Sequence, residues 1–65
     1  MKKYILYTMV FNSPMYFEPF TGKGFKLTSD KKLSEIYLTV SKANDALKEL
    51  ELITGYKIEI TKLSQ

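Results

Sequence analysis

The chain has 65 residues, a net charge of +3 and ten basic residues, all of them lysines. A chain of this length forms one domain, residues 1–65, and buries only about 60% of its unfolded surface. Cysteine and histidine are absent, so the chain has no disulfides and lacks the commonest nucleophiles, general bases and zinc ligands. We therefore predict a protein that is not an enzyme and has no cofactor and no metal site.

Residues 3–11 predict the first strand, because aromatic and β-branched residues dominate this segment. Its apolar run is far shorter than the ~20 residues of a membrane-spanning helix, so we predict no membrane partner. One face of the strand carries Ile5, Tyr7, Met9 and Phe11. The other face carries Tyr4, Leu6, Thr8 and Val10. Both faces are largely apolar, which indicates an inner strand with a helix on one face. The other face needs a loop, a target protein or a second copy of the chain as its cover, so a homodimer is one prediction.

Turn chemistry separates the next short elements. The patterns predict a turn at residues 12–14, a strand at 15–17, a second turn at 21–24 and a further short strand at 25–27. Asp30 and the two residues before it are typical of a cap for a single helical turn. We expect Leu33 to anchor that turn to the core, and residues 36–38 to form another short strand.

The segment around the second strand is unusually rich in aromatic residues. We predict a protein-binding surface there, made of Met15, Tyr16, Phe17, Phe20 and Phe25. Aromatic side chains and methionine are enriched at protein interfaces, and a small domain has little room to bury all five side chains. The alternative is that these residues cover the free face of the sheet as part of the core.

Residues 39–55 predict the main helix. Its apolar residues recur at intervals of three and four, which places them on one face: Val40, Ala43, Ala46, Leu47, Leu50 and Ile53. Thr39 or Ser41 is expected to cap the start of this helix, and Gly55 to end it in the left-handed conformation. We expect Leu47 to be a main core contact. Residues 56–62 then alternate apolar and polar, which predicts a closing strand with Tyr56, Ile58 and Ile60 inward.

Together these elements predict an α+β fold. We expect a small, mainly antiparallel sheet of three to five strands with one α-helix packed on a face. The predicted order is two strands, one or two further short strands, the helix and the closing strand.

The lysines provide an alternative function. Lys2, Lys3, Lys31 and Lys32 could face phosphates on one surface, with tyrosines as stacking platforms for bases. The simpler interpretation is a solvated surface of lysines. Arginine, which grips phosphate with two parallel hydrogen bonds, is absent.

From residue 24 onward the chain resembles small uncharacterised proteins of phages and prophages of low-GC bacteria. The resemblance covers a glycine-aromatic turn, a capping turn, a short strand, an alanine-leucine helix and a closing strand. Its residues are Gly24-Phe25, Thr28-Ser29-Asp30, Ile36-Tyr37, Thr39, Ala43, Ala46-Leu47, Leu50 and Tyr56-Lys57-Ile58-Glu59. The resemblance implies a phage accessory protein in the host cytoplasm that binds a host factor, and some such proteins inhibit defence systems such as CRISPR nucleases. It assigns no site residues.

We therefore predict a small phage-encoded protein that modulates or inhibits a host macromolecule by protein–protein contact, for example a host-defence inhibitor of the anti-CRISPR kind. The alternatives are a basic nucleic-acid-binding accessory protein and a structural dimer without a catalytic role.

Overall fold

The computed structural model of the chain describes residues 2–19 and 24–63. Within these residues the fold is α+β, with one four-stranded antiparallel sheet and one α-helix, as predicted. The elements are β1 (Tyr4–Val10), β2 (Ser13–Phe17), β3 (Leu27–Thr28), a 3-10 helix (Lys31–Leu33), α1 (Val40–Thr54) and β4 (Glu59–Lys62). The strand order in the sheet is β3-β2-β1-β4. The prediction that the first strand lies inside the sheet is therefore confirmed.

The turn between β1 and β2 lies earlier than predicted. Val10 pairs with Ser13, so the loop is Phe11 and Asn12 alone. Their φ angles of 50° and 66° are both positive, which is typical of the type I′ turns that close tight hairpins. The predicted turn at residues 12–14 is thus wrong, because the left-handed turn begins at a phenylalanine that the sequence pattern does not mark. Pro14 lies within β2 and pairs with Met9.

The boundaries of α1 agree with its predicted capping residues. The Thr39 hydroxyl accepts a hydrogen bond from the Lys42 N–H over 3.1 Å. Gly55 ends the helix with φ 75°, a conformation that costs glycine little because it has no Cβ. None of the helices in the described part of the chain is long and apolar enough to cross a membrane.

The core lies between α1 and the sheet. Its buried residues on this face are Leu6, Phe17, Ala43 and Ile58. Leu47 is only partly buried, so it is not the central core contact that we expected. Val40 and Ile53, at the two ends of the predicted stripe, expose 52% and 54% of their surface. Ala43 is the helix's one buried residue.

The segment between β3 and α1 is held by backbone hydrogen bonds. Asp30 caps the 3-10 helix by accepting from the Lys32 N–H, as predicted. Leu33 is 55% exposed, so it does not anchor this turn. Instead, Ser34 is buried and its hydroxyl donates to the Lys31 carbonyl. The predicted strand at residues 36–38 is reduced to a single antiparallel bridge between Tyr37 and Tyr4.

The connection from α1 to β4 is fixed by two long-range side-chain hydrogen bonds. A carboxylate oxygen of Glu51 accepts from the Ile58 N–H over 3.0 Å, and the buried Thr8 hydroxyl donates to the Lys57 carbonyl over 2.9 Å. Residues up to Ile58 therefore form a connection, and β4 begins later than the predicted closing strand. Tyr56 is 42% exposed and is not an inward strand residue.

The face of the sheet opposite α1 is partly covered. Ile5 is fully buried on this face. Tyr7 and Tyr16 pair across β1 and β2, with ring centroids 6.3 Å apart. The Lys31 ammonium lies 5.8 Å from the centroid of the Tyr16 ring, so the 3-10 helix contributes to this cover.

Candidate functional site

An exposed groove lies beside α1. The helix packs on β1 and β4, and a helix about 10 Å wide cannot cover a sheet of four strands spaced about 4.8 Å apart. A cavity of about 210 Å³ lies between α1 and the segments that follow β2, precede β3 and precede α1. We call it the α1 groove, and it is lined by Glu18, Phe25, Glu35, Tyr37, Asp45, Ala46, Glu49, Leu50 and Ile53.

One wall of the α1 groove is a single side of the helix. Its lining residues are separated by one, three or four positions, which places them in one band along the helix surface. They are Asp45, Ala46, Glu49, Leu50 and Ile53. Ala46 and Leu50 form the part of this wall nearest the core, where they pack against the core cluster, whereas Ile53 is 54% exposed. The two carboxylates lie beside them.

The other wall is built from segments that adjoin β2. The Glu18 N–H donates to the Lys26 carbonyl, which extends the pairing beyond the end of β2. The Glu35 N–H donates to the Phe17 carbonyl, and Tyr37 exchanges two backbone hydrogen bonds of 2.8 Å with Tyr4. These bonds hold Glu18, Glu35 and Tyr37 opposite the helix.

Phe25 forms an apolar part of the α1 groove. Its ring lies 6.1 Å from the ring of Phe17 and 5.7 Å from the ring of Tyr56, the latter in an edge-to-face arrangement. Aromatic pairs at these separations stabilise one another by about 0.5–1.5 kcal/mol. Phe25 is thus held from two sides while part of its surface faces the groove.

The α1 groove concentrates negative charge in a chain with a positive net charge. Four of the seven acidic residues line it: Glu18, Glu35, Asp45 and Glu49. Burial raises the pKa of the Tyr37 hydroxyl above its ordinary value of 10.0, and the charges of Glu35 and Glu49 raise it further. The tyrosine therefore stays neutral and can act as a hydrogen-bond donor inside a negative field.

The carboxylates of the groove differ from two of the other acidic side chains. Asp30 and Glu51 each accept a hydrogen bond from a backbone N–H and so have structural roles. Among residues 2–19 and 24–63, no side-chain hydrogen bond uses any of the four groove carboxylates. In the same residues, no group of three or more acidic side chains is arranged to hold a metal ion. The four carboxylates thus line the groove beside its apolar residues and form no metal-binding group among the described residues.

The predicted protein-binding residues do not form one exposed surface. Tyr16 and Phe17 expose only 7% and 2% of their surface, so both are core residues and their assignment to an interface is corrected. Tyr16 is covered by the Lys31 side chain on the face opposite α1, and Phe17 packs on the other face against Phe25 and within the core cluster. Met15 is partly buried, and Phe25 lines the α1 groove. Phe20 lies outside the described residues, as does the predicted turn at 21–24 except for Gly24.

The predicted phosphate-facing lysines lie on different elements. Lys31 and Lys32 belong to the 3-10 helix, while Lys2 and Lys3 precede β1. Lys31 already stacks on Tyr16. One aromatic ring on this face, that of Tyr16, is therefore already in contact with a lysine of the same chain.

Sequence reasoning missed most of the α1 groove. The spacing of four between Asp45 and Glu49 places them on one side of a helix and could have indicated a shared wall. Glu18, Glu35 and Tyr37 come from segments with no such periodicity. Phe11, which exposes 98% of its surface at the tip of the hairpin, was also missed as a surface residue.

Comparison with protein-family models, with curated proteins and with solved structures finds no match to this chain. The resemblance to phage proteins therefore stays a prediction.

Proposed function

We propose that this protein acts by binding another protein at the α1 groove, and that it does so without catalysis. The observation that carries the proposal is an exposed groove beside the core, with the apolar residues Phe25, Leu50 and Ile53 in its lining. Exposed apolar surface with polar residues around it is typical of a protein contact site.

The size of the groove favours a protein partner over a small substrate. Its volume of about 210 Å³ is below the ~300–1,000 Å³ of most small-molecule sites. It can accommodate one or two side chains of a partner, which is how interfaces obtain most of their binding energy. The side chains of the groove also agree with a binding role, since carboxylates and one tyrosine are its only ionisable groups among the described residues.

The biological setting of the proposal is the one that the resemblance implies. The protein would be phage-encoded and would act in the host cytoplasm on a host protein, with a CRISPR nuclease as the most specific example. What supports this setting is the resemblance alone, whereas the groove supports protein binding.

The test is a selection from a random peptide library on the immobilised full chain. A parallel selection uses Ile53→Ser, which makes the groove polar at a half-exposed position, and Leu52→Ser is the matched control because Leu52 is 88% exposed outside the groove. We expect peptides that bind the original chain and Leu52→Ser but lose most of their binding to Ile53→Ser. Peptides that bind all three proteins equally, or no enrichment over the bare matrix, would overturn the proposal.

Nucleic-acid binding is the second candidate, and one observation favours it. Tyr7, which is partly buried, and Lys31 lie on the face of the sheet opposite α1, both in contact with the buried Tyr16. A tyrosine beside a lysine could stack a base and contact a phosphate. Binding of random single strands or duplexes that falls steeply with salt would support this candidate, because lysine–phosphate contacts release counterions. Absence of an electrophoretic shift at low salt would remove it.

The homodimer is a further candidate, and it concerns the same face. Met9 is 55% exposed there beside Tyr7, and a second copy could cover both in a two-fold dimer. Ile5 is buried within one copy, however, so a dimer is not required to cover it. Light scattering over a wide concentration range tests this candidate, and a constant monomer mass would reject it.

A further inference from the structure

The α1 groove combines two kinds of surface that favour one class of partner. Its apolar lining is Phe25, Ala46 and Leu50, which pack against the core, together with the half-exposed Ile53, and its acidic lining is four carboxylates. The apolar part can bind a hydrocarbon or aromatic side chain of any partner. The carboxylates restrict the choice, because bringing negative charge into such a site costs free energy and bringing positive charge gains it.

We infer that the groove binds a basic segment of the partner protein, in which an apolar side chain enters the groove and neighbouring lysines or arginines contact the carboxylates. This inference rests on the proposed function and names the chemistry of its partner. Asp45 and Glu49 on the helix and Glu18 and Glu35 on the opposite wall provide carboxylates on both sides of the apolar surface.

The distribution of charge over the chain supports a partner of this kind. The net charge is +3, so the protein as a whole would repel a basic segment if its charges were evenly spread. The acidic residues at the groove replace this repulsion by a local attraction. The raised pKa of Tyr37 reflects both its burial and the charges of Glu35 and Glu49. A basic segment would therefore be attracted to the groove and disfavoured elsewhere on the surface.

Two other occupants fit the groove less well. Nucleic acid would place its phosphates against the four carboxylates, which is repulsive. A divalent metal ion needs several ligands that meet at one point, and no such group exists among the described residues. An organic cation spread along a peptide matches carboxylates that line the groove beside its apolar residues.

The peptides selected by the groove provide the test. We expect those that depend on Ile53 to be enriched several-fold in lysine and arginine over the input library and depleted in aspartate and glutamate. The same selection on the double variant Asp45→Asn/Glu49→Gln should lose most of this enrichment. Glu59→Gln is the matched control, since Glu59 lies on β4 outside the groove, and it should retain the enrichment.

A second measurement uses one enriched peptide in two chemical forms. Replacing its arginines by citrulline keeps the shape and removes the charge, and we expect the affinity for the full chain to fall by at least about threefold, since partly exposed ion pairs contribute modestly. The difference should shrink at high salt.

The outcomes separate the inference from the proposed function. Peptides that depend on Ile53 but show no basic enrichment would overturn the inference and leave protein binding at the groove intact. Equal affinity of the arginine and citrulline peptides would do the same. If no peptide depends on Ile53, the proposed function fails and the inference fails with it.

Discussion

The two sides of α1 differ in how fully the sheet covers them. Towards β1 and β4, Leu6, Ala43 and Ile58 expose 4% of their surface or less. Towards β2 and β3, Ile53 is more than half exposed and the carboxylates line an open groove. A chain of 65 residues with one helix can close one core, and the less covered side is the one that we propose as the binding surface. We therefore expect substitutions on the covered side to change stability and substitutions on the open side to change binding.

The largest expected effect is on the covered side. Leu6→Ala should lower the free energy of unfolding by about 2–5 kcal/mol, because it leaves a cavity in a core that can relax only partly. Chemical denaturation measures this effect. Leu52→Ala is the control, and it should change stability by less than about 0.5 kcal/mol because Leu52 is 88% exposed. Similar losses in the two variants would show that the covered side is not the stabilising one.

The hairpin tip should respond in the opposite direction. Phe11 has φ 50° and exposes 98% of its surface, so its ring gains little from packing while its backbone is strained. Phe11→Asn should stabilise the fold by about 1 kcal/mol, since asparagine tolerates this conformation in a type I′ turn. Thermal denaturation measures the gain. Phe11→Ala removes the ring but retains the strain, so an equal gain in that variant would contradict the explanation.

On the open side, a change should affect binding more than stability. Ile53→Ser removes an apolar side chain that is 54% exposed, and we expect the free energy of unfolding to fall by less than about 1 kcal/mol. Circular dichroism during denaturation measures this loss alongside the binding test. A loss as large as that of Leu6→Ala would mean that the groove wall belongs to the core.

The smallest expected effect concerns pH. The pKa of Tyr37 is raised in the folded chain by burial, then by Glu35 and Glu49, so the folded state holds this proton more tightly than the unfolded state. The resulting stabilisation is present below the unfolded pKa of about 10 and is lost as the pH rises through the folded value. The difference in ultraviolet absorbance between the original chain and Tyr37→Phe isolates this titration.

A change of charge at the groove sharpens the same measurement. Glu49→Gln should lower the pKa of Tyr37, because it removes one of the two charges that raise it. Glu59→Gln should leave it unchanged. If Tyr37 titrates at its ordinary value in the original chain, the groove does not have the negative field that we describe.

Local patterns in the sequence were enough to predict the fold class, the helix and the inner position of the first strand, whereas the groove depended on contacts between distant segments. Thr39 and Gly55 mark the helix ends through their own chemistry, and the two apolar faces of β1 indicate an inner strand. Glu18 and Glu35 lie far along the chain from Asp45 and Glu49, and only the pairing around β2 brings them to the helix. Sequence periodicity cannot show this arrangement.

The wrong predictions for single residues also arise from contacts between distant segments. Leu33 is apolar at a position where the pattern predicts burial but is 55% exposed, whereas Leu47 packs against the core and is only partly buried. Tyr16 and Phe17 were predicted as an interface because the core seemed too small to contain them. In the structure Lys31 covers Tyr16 on one face, and Phe17 packs against Phe25 and the core cluster on the other.

The hydrogen bond from the Ile58 N–H to the Glu51 carboxylate has a consequence for self-association of the chain into aggregates. β4 is an outer strand of the sheet, and outer strands can add strands of other molecules through their free N–H groups. The Leu63 N–H bonds to Lys3, so by alternation the N–H of Ile58 points away from β1. The side chain of Glu51 occupies that N–H and places a negative charge at the start of the exposed edge. The fold thereby protects one end of its longer outer strand against the growth of intermolecular sheets.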